Sequence, residues 1–210
     1  MTGHRASVTG NHMKRRRAMA VVIGVSVALG IVSPSVAIES QPNRERIRMA
    51  MERGTDAAAA HRSPDTFYVR FGSTDDLHAS GYLVTKLGGV SVMAAHMASR
   101  GLQPSETDIA HVLDASTMLI SAIIVGDHPS FAEHSYMVLE QGDKIIKPIT
   151  VRADGQADRS AAWPESPRFK ARVVALFNYA DFDPKAKTTI TVFPASGGEL
   201  RFSVDFAQID

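Results

Sequence analysis

The residues best suited to chemistry cluster at positions 127–134, where Asp127, His128, Glu133 and His134 share one short stretch, with His111 upstream. Two imidazoles and a carboxylate aimed at one point form a donor set that zinc or copper accepts. Nothing in the spacing forces that convergence. His128 and His134 lie six apart around Pro129-Ser130-Phe131-Ala132, an ordinary connection, so solvated loop histidines or a helix-capping contact are the competing reading.

Three further groups invite the same weighing. Met93, Met97, Met118 and Met137 could gather thioethers for copper(I), although methionine at helical spacing more commonly fills a core. Asp154, Asp158, Asp181 and Asp183 offer hard oxygens for calcium. The run Asp154-Gly155-Gln156-Ala157-Asp158 lacks the spaced carboxylates and terminal glutamate of an EF-hand, and turn aspartates usually bond their own backbone. Trp163, beside Pro164, could anchor a partner or a sugar ring, or could plug one end of a core with its ring over Phe169.

Catalytic patterns are missing. There is no Gly-x-Ser-x-Gly, phosphate loop, dinucleotide fingerprint or zincin helix. Ser91 after Gly88-Gly89 and Ser196 before Gly197-Gly198 read as helix-start and loop residues. The first expectation is therefore a non-enzymatic binding or structural module with no cofactor and no metal. A metal-binding protein using His128, Glu133 and His134 is the alternative. An enzyme site assembled from distant loops is a third class that one sequence leaves open.

The N-terminus reads as a secretory leader over residues 1–37. Met13-Lys14-Arg15-Arg16-Arg17 precedes an apolar stretch from Ala18 to Val32, followed by Ser33-Pro34-Ser35-Val36-Ala37. That stretch is shorter than the roughly 20 residues of a membrane span. Cleavage after Ala37 is thus expected, a retained anchor being the weaker reading, and Met13 competes with Met1 as the start. The leader holds five of the 23 basic residues and no acid, which leaves 18 against 22 and a mature charge of −4. Such a balance disfavours nucleic acid, whose phosphates want a basic face. The partner expected is a protein or a glycan.

The chain has no cysteine, which excludes disulfides, thiolate metal sites and a cysteine nucleophile. An exported chain without disulfides fits a bacterial periplasmic or secreted protein, with no membrane span once the leader is removed.

Beyond the leader, residues 38–64 show no sustained apolar period and read as a flexible or loosely helical tether. Residues 65–116 are expected to hold a strand at 66–71 and two short helices, at 90–100 and from Ser105, that pack on the sheet following them. Gly101 stands where a left-handed cap belongs, and Ser105 with Asp108 makes an acidic capping box. Residues 117–210 read as six more strands: 118–125, 136–140, 144–152, 169–179, 188–193 and 200–207. The last alternates strictly, placing Leu200, Phe202, Val204 and Phe206 inward. Pro148 assigns its strand to an edge or a bulge, and residues 153–168 read as a connection crossing between sheets. The fold class expected is mainly β with a small α segment: an immunoglobulin-like antiparallel β-sandwich preceded by two short helices.

Overall fold

The computed structural model describes residues 37–209. The expected leader, apart from Ala37, lies outside the described residues. In chain order the elements are α1 (Arg44–Ala59), a 3-10 turn (Pro64–Phe67), β1 (Val69–Gly72), β2 (Ser80–Val84), α2 (Lys86–Ala98) and α3 (Glu106–Leu113). Then follow β3 (Thr117–Gly126), β4 (Tyr136–Gln141), β5 (Lys144–Ile146), β6 (Thr150–Ala153), β7 (Asp158–Arg159), β8 (Phe169–Asn178), β9 (Lys187–Phe193), β10 (Leu200–Asp205) and a last 3-10 turn, Phe206–Gln208.

The fold is mainly antiparallel β. A larger sheet runs β1-β2-β3-β8-β6, with β7 also pairing to β8, and a smaller sheet runs β10-β9-β4-β5. Their inner faces share one core. Met118, Ile120, Ala122 and Ile124 of β3 alternate inward, as do Ala171, Val173, Ala175 and Phe177 of β8. Met137, Leu139, Ile190, Val192, Phe202 and Val204 complete it from the smaller sheet. The period-2 pattern of β8 and β10 thus placed these side chains correctly, and β8 is central, between β3 and β6.

Residues 38–64, expected as a flexible or loosely helical tether, carry the helix α1. Asn43 caps α1 by accepting the Arg46 N–H at 3.0 Å, and Ala50, Gly54 and Ala57 recur every three or four residues on a face buried against α2. Ile38 belongs to the core of the two sheets. The contact with α2 is made close by small side chains: a Cβ on Gly54 would lie 2.3 Å from the Ser91 carbonyl oxygen and 2.8 Å from the Ala94 Cβ.

The helices number three among the described residues, and they pack first on one another. Ala50, Leu87 and Val90 form a second small core with Ile47, Met51, Val112 and Leu113, in place of the expected packing on the sheet. α2 begins at Lys86, four residues before the expected start, because the Thr85 hydroxyl caps it by accepting the Gly88 N–H at 3.0 Å. Gly101 does adopt φ +72, and the Ser105–Asp108 capping box is formed.

The expected strand 144–152 is two strands in different sheets. β5 pairs with β4, the chain breaks at Lys147-Pro148-Ile149, and β6 pairs with β8. Pro148 is neither in an edge strand nor in a bulge; lacking an N–H, it occupies the switch between sheets. The segment after β6 stays with the larger sheet through β7, so it is not the crossing. The strand expected at 66–71 is a 3-10 turn followed by β1, and β2 was not foreseen.

Candidate functional site

The loop histidines do not converge. The Asp127 carboxylate accepts from the Ser166 hydroxyl at 2.9 Å and the Arg168 N–H at 3.1 Å, which turns it toward the β7–β8 loop. His128 Nδ1 accepts the Ser130 N–H at 3.3 Å and lies 2.9 Å from the Ser130 hydroxyl. Glu133 and His134 form a 3.7 Å pair in solvent, the imidazole 88% exposed, and His111 is on α3. Among the described residues no three His, Cys, Asp or Glu side chains are grouped to hold a metal.

Several of the remaining sequence candidates are absorbed by structure. Met118 and Met137 are buried in the common core, while Met93 and Met97 lie on α2. Asp183 accepts the Lys185 N–H at 2.8 Å, the local backbone bonding that turn aspartates favour, whereas Asp154 accepts the Arg172 N–H of β8 at 2.8 Å. Ser91 donates its hydroxyl to the Ala50 carbonyl at 2.9 Å, joining α2 to α1. Ser196 is exposed in the β9–β10 loop.

Trp163 meets Phe169 edge-on at 5.3 Å, so it does sit over the end of the core, yet it stays 41% exposed. The Arg159 guanidinium stands 4.7 Å from its ring centre, a cation–π contact. The bonds of Asp127, and the Ala157 N–H donating to the Pro129 carbonyl at 2.7 Å, tie this loop to that of His128. The two loops form one end of the molecule.

The outer faces of the sheets differ sharply. On the smaller sheet, Val138, Thr191 and Arg201 lie in one row across β4, β9 and β10. Glu140 accepts from the Thr191 hydroxyl at 2.6 Å and binds the Arg201 guanidinium at 2.5 Å. Thr191 is left fully buried and Val138 only 7% exposed, so the middle of this face is covered by its own side chains, while Tyr136, Ile145 and Phe193 on the same face stay exposed. The neighbouring Glu140 charge raises the pKa of Arg201 further.

The larger sheet turns Tyr82, Leu119, Ile123, Val125, Val174 and Leu176 outward, all only half-buried. At one end the helices border this face at Val84 and Leu119, enclosing about 330 Å³ together with Lys86, His111 and Tyr179. There Lys86 donates to the Leu113 carbonyl at the end of α3 and lies 5.2 Å from the Tyr179 ring centre. Burial pushes the Tyr179 phenol up to about 12 and lowers the pKa of Lys86. That lysine serves as a helix cap.

Toward the other end the face is hollowed. One cavity of about 450 Å³ is lined by Arg70, Asp76, Ser80, Tyr82 and Ile123; another, of about 200 Å³, by Ile123, Asp154, Asp158, Lys170 and Arg172. Ile123 belongs to both. The Tyr82 ring is stacked on Tyr68 at 4.6 Å and 14°, which fixes it in place. At the rim Asp75 accepts from His78 at 2.7 Å and from the Leu77 N–H at 2.8 Å; these bonds, that with His78 foremost, hold its carboxyl down to about 2.

Of these lining residues only Asp154 and Asp158 stood among the sequence candidates, and there as calcium ligands. A signal existed in β8, where Lys170 and Arg172 alternate with the inward Ala171 and Val173, and in β2, where Gly81 and Leu83 go inward around Tyr82. No protein-family model, curated protein or solved structure matches this chain.

Proposed function

We propose that this protein is an exported, non-enzymatic β-sandwich, immunoglobulin-like in size and layout, that acts in the periplasm or at the cell surface as a binding module. Its binding surface is the outer face of the larger sheet. The observation that carries this reading is the pair of adjoining hollows around Ile123, half-apolar and rimmed by charged side chains. Contiguous apolar surface with a few convergent polar groups is what ligand sites present. The sequence supports the export half of the proposal through residues 13–37.

Because the chain has no cysteine, single cysteines report on each face without background. Arg172→Cys and Ser203→Cys probe the larger and the smaller sheet respectively. In the producing cells a thiol reagent should label Ser203→Cys as it does in the purified protein, and Arg172→Cys much less than in the purified protein. Equal labelling of Arg172→Cys in both settings refutes the assignment of the face. N-terminal sequencing of the exported product should begin at Ile38; an uncut leader refutes the expected processing.

A further inference from the structure

We infer that the free edge of β10 pairs with the same edge of a second copy of this chain, joining two four-stranded sheets into one of eight strands. The fold leaves a row of backbone groups unpaired there. β10 pairs with β9 in unbroken register from Leu200↔Val192 to Asp205↔Lys187, and the Phe206 N–H donates to the Ala186 carbonyl in the same register. Antiparallel bonding alternates, so Leu200, Phe202 and Val204 exchange hydrogen bonds with β9, while the N–H and C=O groups of Arg201, Ser203 and Asp205 point away from the sheet. Among the described residues no strand or loop bonds them.

Exposed strand edges are ordinarily blunted by shortness, proline, lysine or a bulge. β1, β5, β6 and β7 are short, at two to four residues each. β10 has six residues, with no proline, lysine or bulge. Ser203 stands exposed at its middle, small enough for a second backbone to approach. On the inner side Phe202 packs on Phe71 of β1 at 5.1 Å, which fixes the strand and leaves its outward groups free.

This edge is complementary to itself. Antiparallel pairing about a two-fold axis at Ser203 sets Ser203 opposite its own copy and Arg201 opposite Asp205, so all three outward residues meet outward residues and every hydrogen bond closes. Neighbouring registers fail. Centred on Phe202, the pairing sets Asp205 opposite Glu199; centred on Arg201 or on Asp205, it sets like on like, which destabilises a strand pair. Centred on Val204, it runs Arg201 into the closing 3-10 turn. Arg201 already holds Glu140 and Glu199 on its own sheet, and Lys187 lies across from Asp205. Along the joined surface the signs therefore alternate, from Glu140 and Arg201 to Asp205 and Lys187 of the second copy.

A single strand pair is a small interface, so the dimer is weak and depends on concentration. Its axis stands across the joined sheet, which leaves both larger sheets on one side and two copies of the face proposed above looking the same way. A ligand with repeated epitopes gains avidity from that arrangement, although the pairing itself does not depend on what the face binds.

Sedimentation of the processed protein over a range of concentrations reads the pairing. The weight-average mass should climb toward that of two chains. Ser203→Pro removes an N–H that its own chain does not use, at an edge where proline is tolerated, and should hold the mass at one chain with the circular dichroism of the parent. Arg201→Asp and Asp205→Arg each set like charges opposite one another and should weaken the dimer about tenfold; an equimolar mixture of the two should restore it, since each then meets its opposite. Ser203→Cys sets two thiols at a Cα separation of about 5.5 Å, within reach of a disulfide, and mild oxidation should link it far faster than the exposed Ser196→Cys. The pairing forms in cells and in the purified protein alike, so the labelling of Ser203→Cys compared between the two is unaffected.

A mass of one chain at every concentration overturns the inference. So does a dimer that Ser203→Pro, Arg201→Asp and Asp205→Arg leave intact, which would place the contact elsewhere, as on the exposed Tyr136 and Phe193. Oxidation of Ser203→Cys no faster than of Ser196→Cys overturns it as well. Should Ser203→Pro fail to fold, the charge variants and their mixture decide. None of these results touches the hollowed face, whose own test is the shielding of Arg172→Cys.

Discussion

Replacing Gly54 by alanine sets two physical effects against each other, and the structure decides the sign. In an exposed helix the change stabilises by about 1 kcal/mol, because glycine loses more backbone freedom than alanine. Here the new Cβ would stand 2.3 Å from the Ser91 carbonyl oxygen, 2.8 Å from the Ala94 Cβ and 3.0 Å from the Ala95 nitrogen, two of the three being backbone atoms that cannot swing aside. α1 and α2 must separate, at an overpacking cost of about 2 kcal/mol. Separation also breaks the buried Ser91–Ala50 hydrogen bond, about 1 kcal/mol more. The balance is a loss of about 2 kcal/mol. Amide exchange in α1 and α2 should accelerate roughly thirtyfold, and the melting temperature should fall by about 4–8 °C if the helices unfold together with the sheets. A Gly54→Ala protein that exchanges more slowly in α1 and melts higher would show that propensity governs the site and that the helices do not meet as described.

Other substitutions test other parts of the fold. Ser121 is fully buried with an unpaired hydroxyl, so Ser121→Ala should raise stability by about 1 kcal/mol in urea denaturation; a loss would mean that the hydroxyl has a partner. Trp163→Ala should cost about 1–2 kcal/mol, below the usual range for a fully buried tryptophan because 41% of the residue is already in solvent, and either no change or a loss above about 3 would refute the half-plug. Of the four tyrosines one should ionise near pH 12 by ultraviolet titration, and Tyr179→Phe should remove it. Since the unfolded phenol ionises near 10, the folded state binds more protons between pH 10 and 12, and stability should decline by about 2–3 kcal/mol across that window. The lowered pKa of Lys86 acts with the opposite sign below its ordinary value, so the Tyr179→Phe difference isolates the phenol.

Legibility in the sequence followed side-chain size and sharpness of period. β10 was readable because Phe202, Val204 and Phe206 are large and alternate with Arg201, Ser203 and Asp205. α1 was not, because the face it buries is Ala50, Gly54 and Ala57, which register weakly as apolar although they allow a close helix pair. β5 and β6 merged into one expected strand because both are β-prone and the Pro148 between them is compatible with an edge strand as well as with a change of sheet. The helices were expected on the sheet alone because α1, the main partner of α2, has no sustained large-residue period in the sequence. For the site, the legible residues were those of metal-binding type, of which Asp154 and Asp158 do line the hollow. The hollowed face consists of Tyr82, Ile123, Lys170 and Arg172, ordinary strand residues whose meaning comes only from which rows they share.

Strands apolar on both sides ordinarily lie in sheets covered on both faces, and β3 and β8 are of that kind, with Leu119, Ile123, Val125, Val174 and Leu176 opposite the core row. The smaller sheet covers one face. The helices reach the other at its Val84 and Leu119 end, and farther along the same rows carry Lys170 and Arg172, which a dry protein layer would have to desolvate. A surface too apolar to be only solvated, yet too charged to be only packed against, has the composition of a recognition face, apolar at its centre and polar at its margin. On the opposite sheet Glu140 and Arg201 cover Val138 and Thr191 at the middle of the face, and the apolar surface left there is Tyr136, Ile145 and Phe193.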